Sequence, residues 1–186
     1  MQRTEKTEKS GKTHEEQIKE LKKIICDIKF GMLCTTETDG SLRSRPMATQ
    51  QIEEDGSVYF FLYGHSPKCG EIKHDSHVNI SFAEPKKNQY ASLSGKGTVI
   101  KDKSKMEELW NPLYKTWFPK GLDEPDIALL KVTIDKAEYW DYSSGTAVRL
   151  VGFAKSLLTG KSGESLGTNE KVQAPFIGEK KDIPTA

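Results

Sequence analysis

The chain reads as a mainly β protein, a small antiparallel barrel of six or seven strands with peripheral helices. Three observations predict this. Apolar residues fall in short, strand-like runs through most of the sequence. Turn signals at Asp39-Gly40 and Asp55-Gly56 join consecutive runs. Segments with helical spacing are few and lie between or outside those runs, which leaves little room for βαβ units.

In chain order, residues 1–12 carry no apolar side chain after Met1 and cannot offset the entropy of ordering, so a flexible tail is expected. Thr13 and Glu16 form a capping-box pattern. Ile18, Leu21, Ile25 and Ile28 follow at helical spacing, with Gly31 as the stop. Strand-like runs are expected at 32–36, 42–52 and 57–63, as hairpin neighbours. A short helix after Pro67 spans 68–74, and strands resume at 78–82 and 90–100. Ser104 and Glu107 suggest a second capping box, opening a helix over 104–110. Two late strands, 128–134 and 137–140, precede an amphipathic helix at about 146–158. Residues 13–159 are thus the folded domain, and the Gly, Ser, Lys and Glu-rich segment 160–186 reads as a flexible tail.

Composition excludes several classes. The 186 residues carry 28 Lys+Arg against 27 Asp+Glu, a net charge of +1, too little to create a field that condenses the chain on nucleic acid or an anionic membrane. No apolar run approaches the ~18 residues of a membrane span, and the charged first twenty residues are unlike a secretory signal, which points to the cytoplasm. Cys26, Cys34 and Cys69 form no Cys-x-x-Cys pair and read as reduced, buried thiols. His14, His65, His74 and His77 lack metal-site spacing, so no metal is expected. No Gly-x-Ser-x-Gly elbow, P-loop or Gly-x-Gly-x-x-Gly fingerprint occurs.

One constellation carries chemistry. Arg45 precedes Pro46 in the second strand, and a proline there implies an edge or a bulge with backbone open to a ligand. Ser66-Pro67-Lys68 opens a helix, with Ser66 as N-cap, Pro67 at the first position and free N–H groups suited to an anion. If Arg45 converges on that helix start beside Lys68, the two cations and the backbone donors make a site for one phosphate dianion. Trp110, Trp117, Phe118, Tyr139, Trp140 and Tyr142 add flat apolar surfaces that fill a core or line an interface or a planar cofactor.

Together these segments resemble the FMN-binding split-barrel family related to pyridoxamine 5′-phosphate oxidase, in its bacterial general stress protein branch. The resemblance covers roughly 13–160. It rests on Leu42-Arg43-Ser44-Arg45-Pro46-Met47, on the run from Phe60 through Gly64-His65-Ser66-Pro67-Lys68, and on Val78-Asn79-Ile80-Ser81-Phe82. It rests also on Tyr90 through Gly95, Trp117-Phe118-Pro119 with Pro125-Asp126, and Glu138-Tyr139-Trp140-Asp141. It implies a split β-barrel with FMN as cofactor, its phosphate held by Arg45, Ser66 and Lys68. Backbone along Pro46, Met47, Ala48 and Thr49 is implied to run beneath the isoalloxazine, with Phe61 and Leu62 on the adjacent strand and Gln89 and Trp140 near the ring. A homodimer with flavin at the subunit interface is implied as well.

The departures narrow the activity. Relatives that oxidise pyridoxamine phosphate carry a lysine where this chain has Gln50, and an arginine-x-histidine arm where this chain has only Arg149 past Trp140. A second phosphate would lack compensating charge, which argues against that substrate. The resulting expectation is an FMN-dependent reductase or oxidase of a small molecule, associated with stress and supplied by a donor such as NAD(P)H. The alternative is a non-catalytic flavin carrier or redox sensor. Haem on the same barrel would need an axial ligand, for which His65 is the candidate. The residues name no catalytic acid or base.

Overall fold

The computed structural model describes residues 13–48, 52–142 and 168–173. Among these, α1 (His14–Cys26) is followed by β1 (Phe30–Thr36), β2 (Leu42–Ala48), β3 (Ser57–Tyr63), α2 (Pro67–His74), β4 (His77–Glu84) and β5 (Gln89–Ile100). Then come α3 (Lys103–Leu109), two 3₁₀ turns (Pro112–Thr116 and Gly121–Asp123), β6 (Ile127–Asp141) and β7 (Thr168–Gln173). The N-terminal tail, Thr49, Gln50 and the helix expected at 146–158 lie outside the described residues. No helix among those described is long and apolar enough to cross a membrane.

The capping box forms as its sequence requires. Thr13 Oγ1 accepts from the Glu16 N–H at 3.3 Å, and Glu16 Oε2 accepts from the Thr13 N–H at 2.7 Å. The apolar stripe of α1 buries Ile18, Leu21, Ile24 and Ile25 in the main core, each fully buried aliphatic contributing ~1.5–3 kcal/mol. The helix ends at Asp27 rather than at Gly31. Gly31 lies inside β1, where a Cβ would come within 2.7 Å of the Phe82 ring, so packing against β4 explains that glycine. At α3 the cap is Asp102, whose carboxylate accepts from the Lys105 N–H, and not Ser104.

All strand pairs are antiparallel, in the order β2-β1-β4-β5-β6-β3, with β7 also on β6. The Asp39-Gly40 turn closes the β1–β2 hairpin as expected. The Asp55-Gly56 turn closes with a bond from the Glu53 N–H to the Ser57 carbonyl at 2.8 Å, but among the described residues β2 and β3 do not pair, and β3 bonds along β6 from Tyr63↔Ile127 to Ser57↔Thr133. Consequently β2 and β3, consecutive in sequence, are the two ends of the hydrogen-bonded path. The barrel is split between them.

The two late strands expected at 128–134 and 137–140 are one strand, β6, that a bulge bends. Register shifts between Ser94 and Gly95, with Ile134 and Lys136 as their partners. The N-terminal half of β6 is buried on both faces: Ala128 and Leu130 enter the main core, while Ile127 and Leu129 pack outward against Tyr59, Met106 and Phe118. Its C-terminal half pairs with β7.

That pairing corrects the reading of 160–186 as a flexible tail over 168–173. The segment has a period-two pattern too short to stand out in a polar stretch: Glu170 and Val172 are buried, and Lys171 and Gln173 are exposed. The backbone pairing to β6 and the Gln17–Glu170 hydrogen bond at 2.9 Å hold it against the domain. The cysteines also differ from expectation, since only Cys69 is buried and Cys26 is exposed at the end of α1.

Candidate functional site

The split houses a cavity. Pro46, Met47 and Ala48 of β2 form one wall and Phe61, Leu62 and Tyr63 of β3 the other, enclosing about 260 Å³ with Phe30, Lys68, Tyr114, Trp117 and Phe118. Pro46 is tolerated because β2 is an edge strand: its inner partner is Met32 of β1, and its outer side faces the split.

The third wall comes from the excursion between β5 and β6. Phe118 lies 4.9 Å from Tyr63 and Tyr114 lies 5.3 Å from Phe61, ring centroid to centroid. Trp117 meets Phe30 edge to face at 6.1 Å, and its carbonyl accepts from the Tyr63 hydroxyl at 2.9 Å. Phe30, Tyr63 and Trp117 remain exposed at the rim. The result is a cavity walled largely by aromatic and other apolar side chains.

The charged end lies at α2. Ser66 occupies the N-cap with extended backbone (φ −67°, ψ 150°) and Pro67 follows in the first turn. The Ser66 hydroxyl does not accept from the helix backbone; it lies 3.4 Å from Cys69 Sγ instead. Burial pulls the Lys68 ammonium below the ordinary lysine value, and the neighbouring Arg45 cation adds to that shift. Lys68 and Arg45, cations on separate segments, are thus near enough for their charges to interact.

Arg45 is less free than the sequence suggests. It shares the inward face of β2 with Met47, and its Nη1 donates to Thr35 Oγ1 at 2.7 Å while Nη2 donates to Glu71 Oε1 at 2.5 Å. Thr35 Oγ1 in turn donates to Glu71 Oε2 at 2.6 Å. Burial pushes the Glu71 carboxyl up, but the bonds from Thr35 and Arg45 outweigh it and hold the group below its ordinary value. Nothing in the sequence singles out Thr35 or Glu71, because the three partners stand on β1, β2 and α2 and meet only through the fold.

His65 precedes the helix start. Asp126 accepts from its backbone N–H at 2.9 Å and meets its Nδ1 at 2.5 Å, which leaves Nε2 facing solvent. No cluster of three or more metal-ligating side chains occurs among the described residues.

Of the residues singled out from sequence, Pro46, Met47, Ala48, Phe61, Leu62 and Lys68 line this cavity; Ser66 caps the helix that begins beside it, and Arg45 does not line it but bonds to Thr35 and Glu71. Gln89 and Trp140 do not line it. They lie near the far end of β6, where Gln89 pairs with Asp141 and Trp140 with Tyr90. The stretch of β6 from Ala128, opposite Leu62, to Trp140 has a contour of roughly 40 Å at ~3.3 Å per residue.

The fold, a split antiparallel barrel, is matched by known proteins. Residues 16–164 match the family described as pyridoxamine 5′-phosphate oxidase like, and the chain belongs to that family. A solved general stress FMN/FAD binding protein from Xanthomonas citri is 30% identical with a TM-score of 0.59, covering 72% of this chain and 93% of its own. A protein assigned as general stress protein 26 from Jannaschia sp. CCS1 shares the fold at 24% identity and a TM-score of 0.68, covering 85% and 98% of the two chains. Protein bli-3 of Neurospora crassa is 27% identical over 157 residues, 79% of this chain and 75% of its own length.

Proposed function

We propose that this protein binds FMN in the split between β2 and β3 and works as a flavin-dependent oxidoreductase of small molecules. The observation that carries this reading is a cavity walled by aromatic side chains that also holds Lys68, whose charge interacts with that of Arg45 on the adjoining strand β2. The aromatic walls suit a flat ring system and the cations a phosphate. A flavin has both, joined by a short chain. The Xanthomonas citri relative, described as an FMN/FAD binding protein, supports the same ligand class.

FMN, when bound, supplies the electron-transfer chemistry. The chain's own residues bind and orient. Lys68, Arg45 and the first-turn N–H groups of α2 fix the phosphate. Pro46 to Ala48 and Phe61 to Tyr63 exclude water from the two sides of the ring, and Trp117 and Phe30 cover the rim.

The cavity of about 260 Å³ lies just below the ~300–1,000 Å³ usual for such ligands. More surface is needed to cover a whole flavin. A second copy of the chain, bringing Gln89 and Trp140 from the far end of its own β6, supplies that surface in a homodimer. The exposed rim side chains Phe30, Tyr63 and Trp117 are the apolar groups such an interface would bury.

The test is spectroscopic. Freshly purified protein should show twin flavin bands and release a cofactor of FMN mass. Under anaerobic conditions NADPH or NADH should bleach the bound flavin faster than free FMN. Bound flavin that neither donor reduces faster would favour a carrier or sensor. A sharp Soret band, or no cofactor and no FMN binding, would overturn the ligand assignment.

A further inference from the structure

Glu71 is an acidic side chain on α2, one turn from Lys68 at the helix start, and it faces the Arg45 cation of β2. Its carboxylate is 8% exposed, accepts from Arg45 Nη2 at 2.5 Å and from Thr35 Oγ1 at 2.6 Å, and so ties β1, β2 and α2 together. The other nearby cation, Arg43, pairs outward with Glu37 at 3.0 Å. Arg45, Lys68 and Glu71 therefore sum to one positive charge rather than two.

We propose that Glu71 is a positioning residue and the resident counter-ion of the phosphate site: it aims the Arg45 guanidinium and offsets its charge, thereby setting how strongly the pocket discriminates a phosphorylated ligand from its neutral counterpart. This rests on the flavin reading for the identity of the ligand, but the phosphate chemistry can be tested without flavin.

Two mechanisms act in opposite directions on one number, the ratio of FMN to riboflavin affinity. Guanidinium geometry is bidentate, so an acceptor moved by one methylene no longer holds it in place. A carboxylate held against the arginine that grips a dianion repels that dianion through a medium of intermediate dielectric. Charge and position are separable by substitution.

The experiment titrates flavin-free, full-length protein with FMN, riboflavin and inorganic phosphate. E71Q keeps the shape and an acceptor for Arg45 but removes the charge, and should raise the FMN-to-riboflavin ratio by about tenfold at low salt. E71D keeps the charge but withdraws the acceptor, and should lower that ratio several-fold. Riboflavin affinity should stay within about twofold in both. Inorganic phosphate should raise the melting temperature of E71Q more than that of the wild type. Ratios equal to wild type in both variants, with no larger phosphate effect in E71Q, would overturn the proposal. So would shifts of both variants in the same direction. If wild-type protein binds neither flavin, the flavin reading fails, and the phosphate arm alone decides the role of Glu71.

Discussion

Gln89 Nε2 donates to Asp141 Oδ2 at 3.1 Å across the β5–β6 pair, and this couple stands at the opposite end of β6 from the cavity that holds Lys68. In the dimer proposed above, each site takes its phosphate grip from one subunit and its Gln89–Trp140 cover from the other. A subunit carrying Lys68→Ala and one carrying Trp140→Ala should each form dimers with weak FMN binding. Mixed dimers should recover one intact site each. Fluorescence titration of the separated mixed dimer checks this, and recovery of no site would argue that all contacts come from a single chain.

The Glu71 network predicts an acid-sensitive step. Burial raises the carboxyl, but its bonds from Thr35 and Arg45 leave it depressed below 4.5 when folded. A depressed folded value means the unfolded chain takes up the proton first, so the stability it contributes is present above about pH 4.5 and is lost as pH falls through the folded value. Urea unfolding between pH 3 and pH 7 should show this fall in the wild type. In Glu71→Gln the fall should be shallower.

The packing of β7 predicts that it contributes to global stability. Val172 is 1% exposed and belongs to the main core. Val172→Ala removes about two methylene equivalents and leaves a gap, which should cost about 2 kcal/mol in denaturant unfolding. A loss below about 0.5 kcal/mol would mean that the strand detaches without consequence.

Two glycines should respond in opposite directions. At the bulge, a Cβ on Gly95 would lie 2.1 Å from the Thr133 carbonyl oxygen, and backbone cannot swing aside. Gly95→Ala should therefore destabilise by at least about 1–3 kcal/mol. Gly70, exposed within α2, has nothing within 4 Å of a built Cβ. Gly70→Ala should stabilise by about 0.4–1 kcal/mol, since it restricts the unfolded chain and favours helix. Melting curves of the two variants check both signs.

Features decided within a few residues were legible in the sequence. The Thr13–Glu16 box, the β1–β2 hairpin and Pro46 on an edge strand all follow from local rules and all stand in the structure. What was not legible depends on closure. The Asp55-Gly56 turn looks like the centre of a hairpin, yet the sheet partner of β3 is β6, where Phe60 and Leu62 enter the core beside Ala128 and Leu130. Glu71 was indistinguishable from a solvated helix carboxylate because its partners lie 26 and 36 residues away. In β7, a short alternation at Glu170 and Val172 is too little to mark a strand in a polar segment.

The most direct test of the phosphate grip compares FMN with riboflavin on Lys68→Ala. A charge-assisted hydrogen bond of ~1.5–3 kcal/mol corresponds to a roughly 10- to 150-fold loss. FMN affinity should fall by about that factor while riboflavin affinity stays within twofold. Equal losses for the two ligands, or no loss for either, would contradict a phosphate held at the start of α2.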